Sequence, residues 1–147
     1  MAATTLLYGD TIRYPSMRHE VPLEILDPFL FVARDGDAFV MTSSLEAARI
    51  ATVLPRAELL LFDELGYYEL VDRGMPRDEA ELETVIRALR KWGIEDAAVP
   101  ADLPVAVADR LRDAGIGIEV DPRGLEGRRR VKTPAELAGI RRAQRAA

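Results

Sequence analysis

There is no cysteine among the 147 residues, and only one histidine, His19. The first absence removes disulfide frameworks, thiol nucleophiles, iron–sulfur clusters and thiolate zinc sites together, and it suits a reducing compartment. The second closes the multi-histidine metal centres. One imidazole beside Glu20 supplies too few ligands for a closed site, so no metal site is expected in this chain. Long apolar runs are missing as well: nothing approaches the roughly 18 residues that cross a bilayer, and Met1-Ala2-Ala3-Thr4-Thr5 lacks the basic start and apolar stretch of a secretory signal. The expectation is a cytoplasmic protein with no membrane partner.

What is there reads as one soluble domain, 48% apolar and 31% charged, with 9 Pro and 10 Gly. A chain of this size buries roughly two thirds of its unfolded surface, enough for a core without staples. The net charge of −5 is unevenly placed: residues 1–122 carry −11 and residues 123–147 carry +6. An acidic body repels phosphate backbones, so no nucleic-acid partner is expected.

The pattern predicts an α/β layer architecture, a mixed β-sheet with helices on both faces. A short strand is expected at Leu6-Leu7-Tyr8. Two apolar runs, Pro28 to Ala33 and Ala38 to Thr42, flank Arg34-Asp35-Gly36-Asp37, a hairpin signal because Gly supplies the positive φ of a tight turn. Ser43-Ser44-Leu45-Glu46 has the form of a capping box opening a helix that ends before Pro55. Glu58 to Phe62 reads as a strand covered on both faces. Leu82, Val85, Ile86, Leu89 and Trp92 recur at helical spacing behind an acidic first turn, and Gly93 stops that helix. A strand at Asp96–Pro100, a helix from Pro104 to Ala114 and a strand at Ile116–Val120 complete the alternation. Gly9 to Asp27 is read as a long irregular segment.

Composition changes at Asp121 to Lys132, where Pro122, Gly124 and Gly127 lead into Arg128-Arg129-Arg130-Val131-Lys132. Thr133-Pro134-Ala135-Glu136 then forms a second capping box, with Pro at the first helical position. That helix reaches Ala147 without a Gly, Asn or Pro stop. The expected division is an α/β domain over 1–127, followed by a linker and first helix over 128–147 that lead into a second domain.

The stretch from Arg130 to Ala143, Arg-Val-Lys-Thr-Pro-Ala-Glu-Leu-Ala-Gly-Ile-Arg-Arg-Ala, resembles the passage from N-terminal to catalytic domain in the creatinase/prolidase family of Xaa-Pro peptidases. The strand order and the hairpin upstream are similar to that family's N-terminal domain, which implies a ribonuclease H-like fold. Ile12-Arg13-Tyr14-Pro15-Ser16-Met17 keeps the Arg and Tyr of a segment that members often carry as Arg-Tyr-Leu-Thr/Ser-Gly, but has Pro15 and no Gly. The dipeptidase, aminopeptidase and creatinase-like branches therefore stay open. The resemblance implies that chemistry belongs to two divalent metal ions (Mn, Co or Zn) in a pita-bread domain, with carboxylates and one His activating a bridging water. It implies a proline-containing peptide substrate and a homodimer for the parent. For these 147 residues it implies no catalytic residue and no cofactor, and a partner in their own C-terminal pita-bread domain.

The same resemblance makes Tyr14, Arg18 and His19 candidates for the substrate mouth. Their plainer reading is a set of polar loop residues satisfying local carbonyls and carboxylates. Tyr67 and Tyr68 are candidates for a subunit interface, whereas Trp92 on the apolar helical face reads as core. Asp78, Glu79, Glu81 and Glu83 read as solvated residues that complement a helix dipole, because acid–base work would require burial to split their pKa values. The basic run at 128–132 reads as a solvated linker pairing with the acidic body or with a following domain, in preference to a phosphate-binding patch. Gly115-Ile116-Gly117 follows a helix where a dinucleotide fingerprint would open one. Two other functional readings are a free-standing interaction or dimerisation module working through Tyr67-Tyr68, and an autonomous enzyme using Tyr14, Arg18 and His19.

Overall fold

Strict alternation along the three longest strands sends successive side chains to opposite faces, and both faces are apolar. A computed structural model describes residues 4–147. Its strands are β1 (Thr5–Gly9), β2 (Phe29–Arg34), β3 (Asp37–Thr42), β4 (Glu58–Leu61), β5 (Asp96–Val99) and β6 (Gly117–Val120), in one sheet of order β4-β3-β2-β1-β5-β6. The pairs β1–β2 and β2–β3 are antiparallel, and the other three are parallel. At the hairpin, Asp35 (φ 53°) and Gly36 (φ 85°) both take positive φ, as a two-residue primed turn requires.

One face carries Leu6, Tyr8, Leu30, Val32, Phe39 and Met41 against two helices, α4 (Arg77–Lys91) and α5 (Val105–Asp113). The other carries Leu7, Phe29, Phe31 and Val40 against Met17 of α1 (Pro15–Glu20), Ile50 of α2 (Ser44–Val53) and Leu125 of α6 (Pro122–Arg130). Helices thus cover both faces, as expected. Trp92 is core: its ring meets Phe39 at 5.4 Å between centroids, and its indole N–H donates to Glu58 at 3.0 Å. A helix α3 (Tyr67–Asp72) and a final helix α7 (Pro134–Ala146) complete the chain.

Three local expectations are corrected. Ser43 precedes α2 but makes no side-chain cap; Glu46 turns instead to Arg49 at 2.6 Å, which competes successfully for its carboxylate. β4, an edge strand, is covered on both faces as expected, Leu60 being buried in one cluster and Leu59 half-covered against the other. The segment from Gly9 to Asp27 is not irregular throughout, since Pro15 at the first helical position starts α1. The linker is partly helical, because Asp121 caps α6 by accepting from the Gly124 amide at 3.0 Å with Pro122 behind it. A Cβ on Gly124 would crowd the Asp121 carboxylate, so a larger residue there would make this cap shift.

Candidate functional site

The polar residues after β1 are organised by one buried carboxylate. Asp10 accepts from the amides of Ile12 at 2.9 Å and Arg13 at 2.7 Å and from the Arg13 guanidinium at 2.7 Å. Burial alone pushes the Asp10 carboxyl up, but the Arg13 amide and guanidinium and the Ile12 amide together outweigh it and hold the group below the usual carboxylate range. Thr11 ties the turn to the following chain: its hydroxyl donates to the Leu23 carbonyl at 2.5 Å and accepts from the Ile25 amide at 2.8 Å. The loop is therefore fixed at both ends, and α1 stands on a rigid base.

Tyr14 lies over the end of β1. A Cβ on Gly9 (φ 151°) would come within 2.5 Å of the Tyr14 ring, so only glycine permits this approach. The ring also packs, partly buried, against the second hydrophobic cluster. Arg18 is exposed and donates to the Leu23 carbonyl at 3.1 Å, with Glu24 at 3.9 Å. His19 is different. Its side chain is only 14% exposed, and Nδ1 lies 2.7 Å from the Glu136 carboxylate of α7, 117 residues away.

Glu136 has two tasks. One oxygen accepts from the Thr133 amide at 2.8 Å, completing the expected capping box, and the other faces His19. The Thr133 amide and then the His19 ring draw its carboxyl below the ordinary range, against a smaller opposing effect of burial. A second tie runs in parallel: Arg128 of α6 donates to Glu20 at 2.6 Å, and this hydrogen bond raises the guanidinium pKa. The basic run thus pairs in part with the acidic body, as expected.

Two of the three mouth candidates, Arg18 and His19, therefore meet at the seam between α1 and the terminal segment, whereas Tyr14 stays over the end of β1. Beside them lies a cleft of about 300 Å³, bordered by Pro15, Arg18, His19 and residues of the terminal segment. α7 buries none of its residues, and Leu137 and Ile140 remain 40% and 43% exposed. Tyr67 and Tyr68 lie elsewhere, on α3. Their rings meet edge to face at 5.3 Å; Tyr67 leans on Phe62, while Tyr68 is 61% exposed. Of the acidic quartet, Asp78 and Glu79 are exposed as expected. Glu83 is not simply solvated, because it joins α4 to α5 by pairing with Arg87 and Arg110. Burial first, then Asp27 and Asp78, push the Glu81 carboxyl up despite its hydrogen bond with Tyr8. Among the described residues no three of His, Asp or Glu stand close enough to hold a metal, so the side chains present do not fit the pair of ions that the resemblance places in a following domain. No helix among them is long and apolar enough to cross a membrane.

No family model matches the chain and no curated protein is similar to it at a significant level. Solved structures are similar. A Xaa-Pro dipeptidase from Bacillus anthracis superposes with a TM-score of 0.63 at 15% identity over 92% of this chain, which spans only 33% of that enzyme. The N-terminal domain of the cytoplasmic peptidase PepQ from Mycobacterium tuberculosis H37Rv superposes with a TM-score of 0.54 at 14% identity, over 86% of each chain. The mixed six-stranded sheet and seven α-helices of the described residues make the α/β fold seen in the N-terminal domain of PepQ.

Proposed function

We propose that these residues form the non-catalytic N-terminal domain of a cytoplasmic Xaa-Pro peptidase-like metallohydrolase, with 1–127 as the α/β unit and 128–147 as the stem into a pita-bread domain. The observation carrying this reading is one of proportion: the fold matches nearly all of this chain but a third of the dipeptidase. In the parent, two divalent ions bound outside this unit supply the activated water, and a proline-containing peptide is the substrate. Tyr14, Arg18 and His19, the last two facing the stem, border the route to that site. Tyr68, exposed above a half-buried Tyr67, offers an aromatic contact for a homodimer.

The test is hydrolysis of Xaa-Pro dipeptides with added Mn²⁺, run on residues 1–147 and on the full reading frame of the gene. The short chain is expected to be inactive and the full frame active. A frame encoding no downstream set of carboxylate and histidine ligands would leave the proposal without its catalytic half. A free-standing dimerisation module is the competing reading, favoured by the exposure of Tyr68; it predicts that Tyr68→Ala alone abolishes self-association of residues 1–147.

A further inference from the structure

We infer that the cleft between α1, the end of α6 and α7 binds a small aliphatic carboxylate. Its volume of about 300 Å³ suits a ligand of a few heavy atoms, and its walls combine Pro15 and Ile140 with Arg18, Arg129 and Lys132. Glu136 is the one carboxylate on the lining. Its oxygens already meet His19 and the Thr133 amide, and its single negative charge leaves Arg18, Arg129 and Lys132 in excess on the lining.

Arg129 makes the case. The chain is acidic overall, yet among the described residues no carboxylate lies within 4.0 Å of the guanidinium of this partly buried residue, and its side chain donates no hydrogen bond. Glu126 and Asp102 line the adjoining depression with Arg129 without bridging to it. Lys132 donates only to the carbonyl of Arg129, and Arg18 to that of Leu23. A planar guanidinium without a partner is disposed to take a carboxylate through two parallel N–H···O bonds. The ammonium beside it adds a second charge, and Pro15 with Ile140 gives an aliphatic group an apolar surface to rest on. The inference concerns Arg129, Lys132 and Ile140 and holds whether or not the parent is a peptidase.

The experiment is a ¹H–¹⁵N NMR titration of residues 1–147 with two probes, isovalerate for a free acid and N-acetyl-L-proline for a peptide end, with inorganic phosphate and isoamyl alcohol as controls. Saturable shifts confined to the amides of Lys132, Gly139, Ile140 and the α1 residues are expected with at least one carboxylate, and the tighter one identifies the source. Arg129→Gln is expected to weaken that binding by about tenfold or more. Arg123→Gln, the same charge change on the same helix outside the cleft, is expected to leave it intact, and Arg129→Lys to retain part of it. Shifts that never saturate, saturation by phosphate or the alcohol but by neither carboxylate, or equal losses in the two Gln variants would each overturn the assignment.

Discussion

The sheet-bearing body and the terminal segment from Pro122 onward are held by different forces. In the body, apolar side chains from alternate strand positions fill two clusters, and most of the largest are at or below 2% exposed. The terminal segment contributes one buried side chain, Leu125, and otherwise attaches by Arg128 to Glu20 and by Glu136 to His19. Hydrophobic burial is insensitive to pH and is not screened by salt, whereas exposed and half-exposed ion pairs weaken with both. The comparison predicts a molecule whose end comes loose under conditions that leave its sheet untouched.

The largest break in that comparison comes from the body. Leu30→Ala removes a fully buried side chain from the central strand β2 and is expected to cost about 2–5 kcal/mol, seen as a lower urea midpoint for the whole chain. Leu125→Ala comes next. At the margin of the second cluster its cost falls near the low end, about 2 kcal/mol, and hydrogen exchange should show α6 losing protection while β2 and β3 keep theirs.

A smaller, more selective effect belongs to Glu136. Its folded-state pKa is depressed, so its contribution is fully present above the ordinary glutamate range and is lost as pH falls through the depressed folded value. Trypsin cleavage at Arg141 and Arg142 should therefore accelerate on acidification towards that value in the wild type, after correction for the protease's own pH dependence. Glu136→Gln should show raised cleavage already at neutral pH and no further acid step. The smallest effect has the opposite sign. Glu81, raised by burial and by Asp27 and Asp78, destabilises the fold as pH rises through the ordinary glutamate range. Glu81→Gln is accordingly expected to raise the neutral-pH urea midpoint slightly; an unchanged or lower midpoint would show that the charge carries no net cost there.

The same contrast explains what the amino-acid pattern made legible. β1, β2 and β3 and the helix α4 run long enough for periods of 2 and 3.6 to declare themselves, so the layered fold and its hairpin were readable. α1 and α3 are six residues each, less than two helical turns, and leave no periodic trace. α6 was hidden by Gly124 and Gly127, although Asp121-Pro122 carried the cap signal that would have found it. The Ser43 cap was over-read because Arg49, three residues beyond Glu46, takes the carboxylate.

The candidate site was legible only as a group of residue types. Arg18 and His19 stand at the seam and Tyr14 over the end of β1, but that His19 is committed to Glu136 could not be read, because local periodicity says nothing about a partner so far along the chain. Arg129 was missed as an individual: within a run of three arginines nothing distinguishes the one lacking a carboxylate from Arg128, which has one. Such distinctions arise only when tertiary packing decides which charges meet.

Because one carboxylate both closes the first turn of α7 and grips α1, the grip depends on that turn being wound. A stem drawn away from α1 would keep its local cap, whereas a first turn that unwinds would misplace the carboxylate and give up the cap and the grip together. The order of loss is thus built into one side chain, and whatever follows the stem in a longer chain would inherit a direction set by a single helical turn.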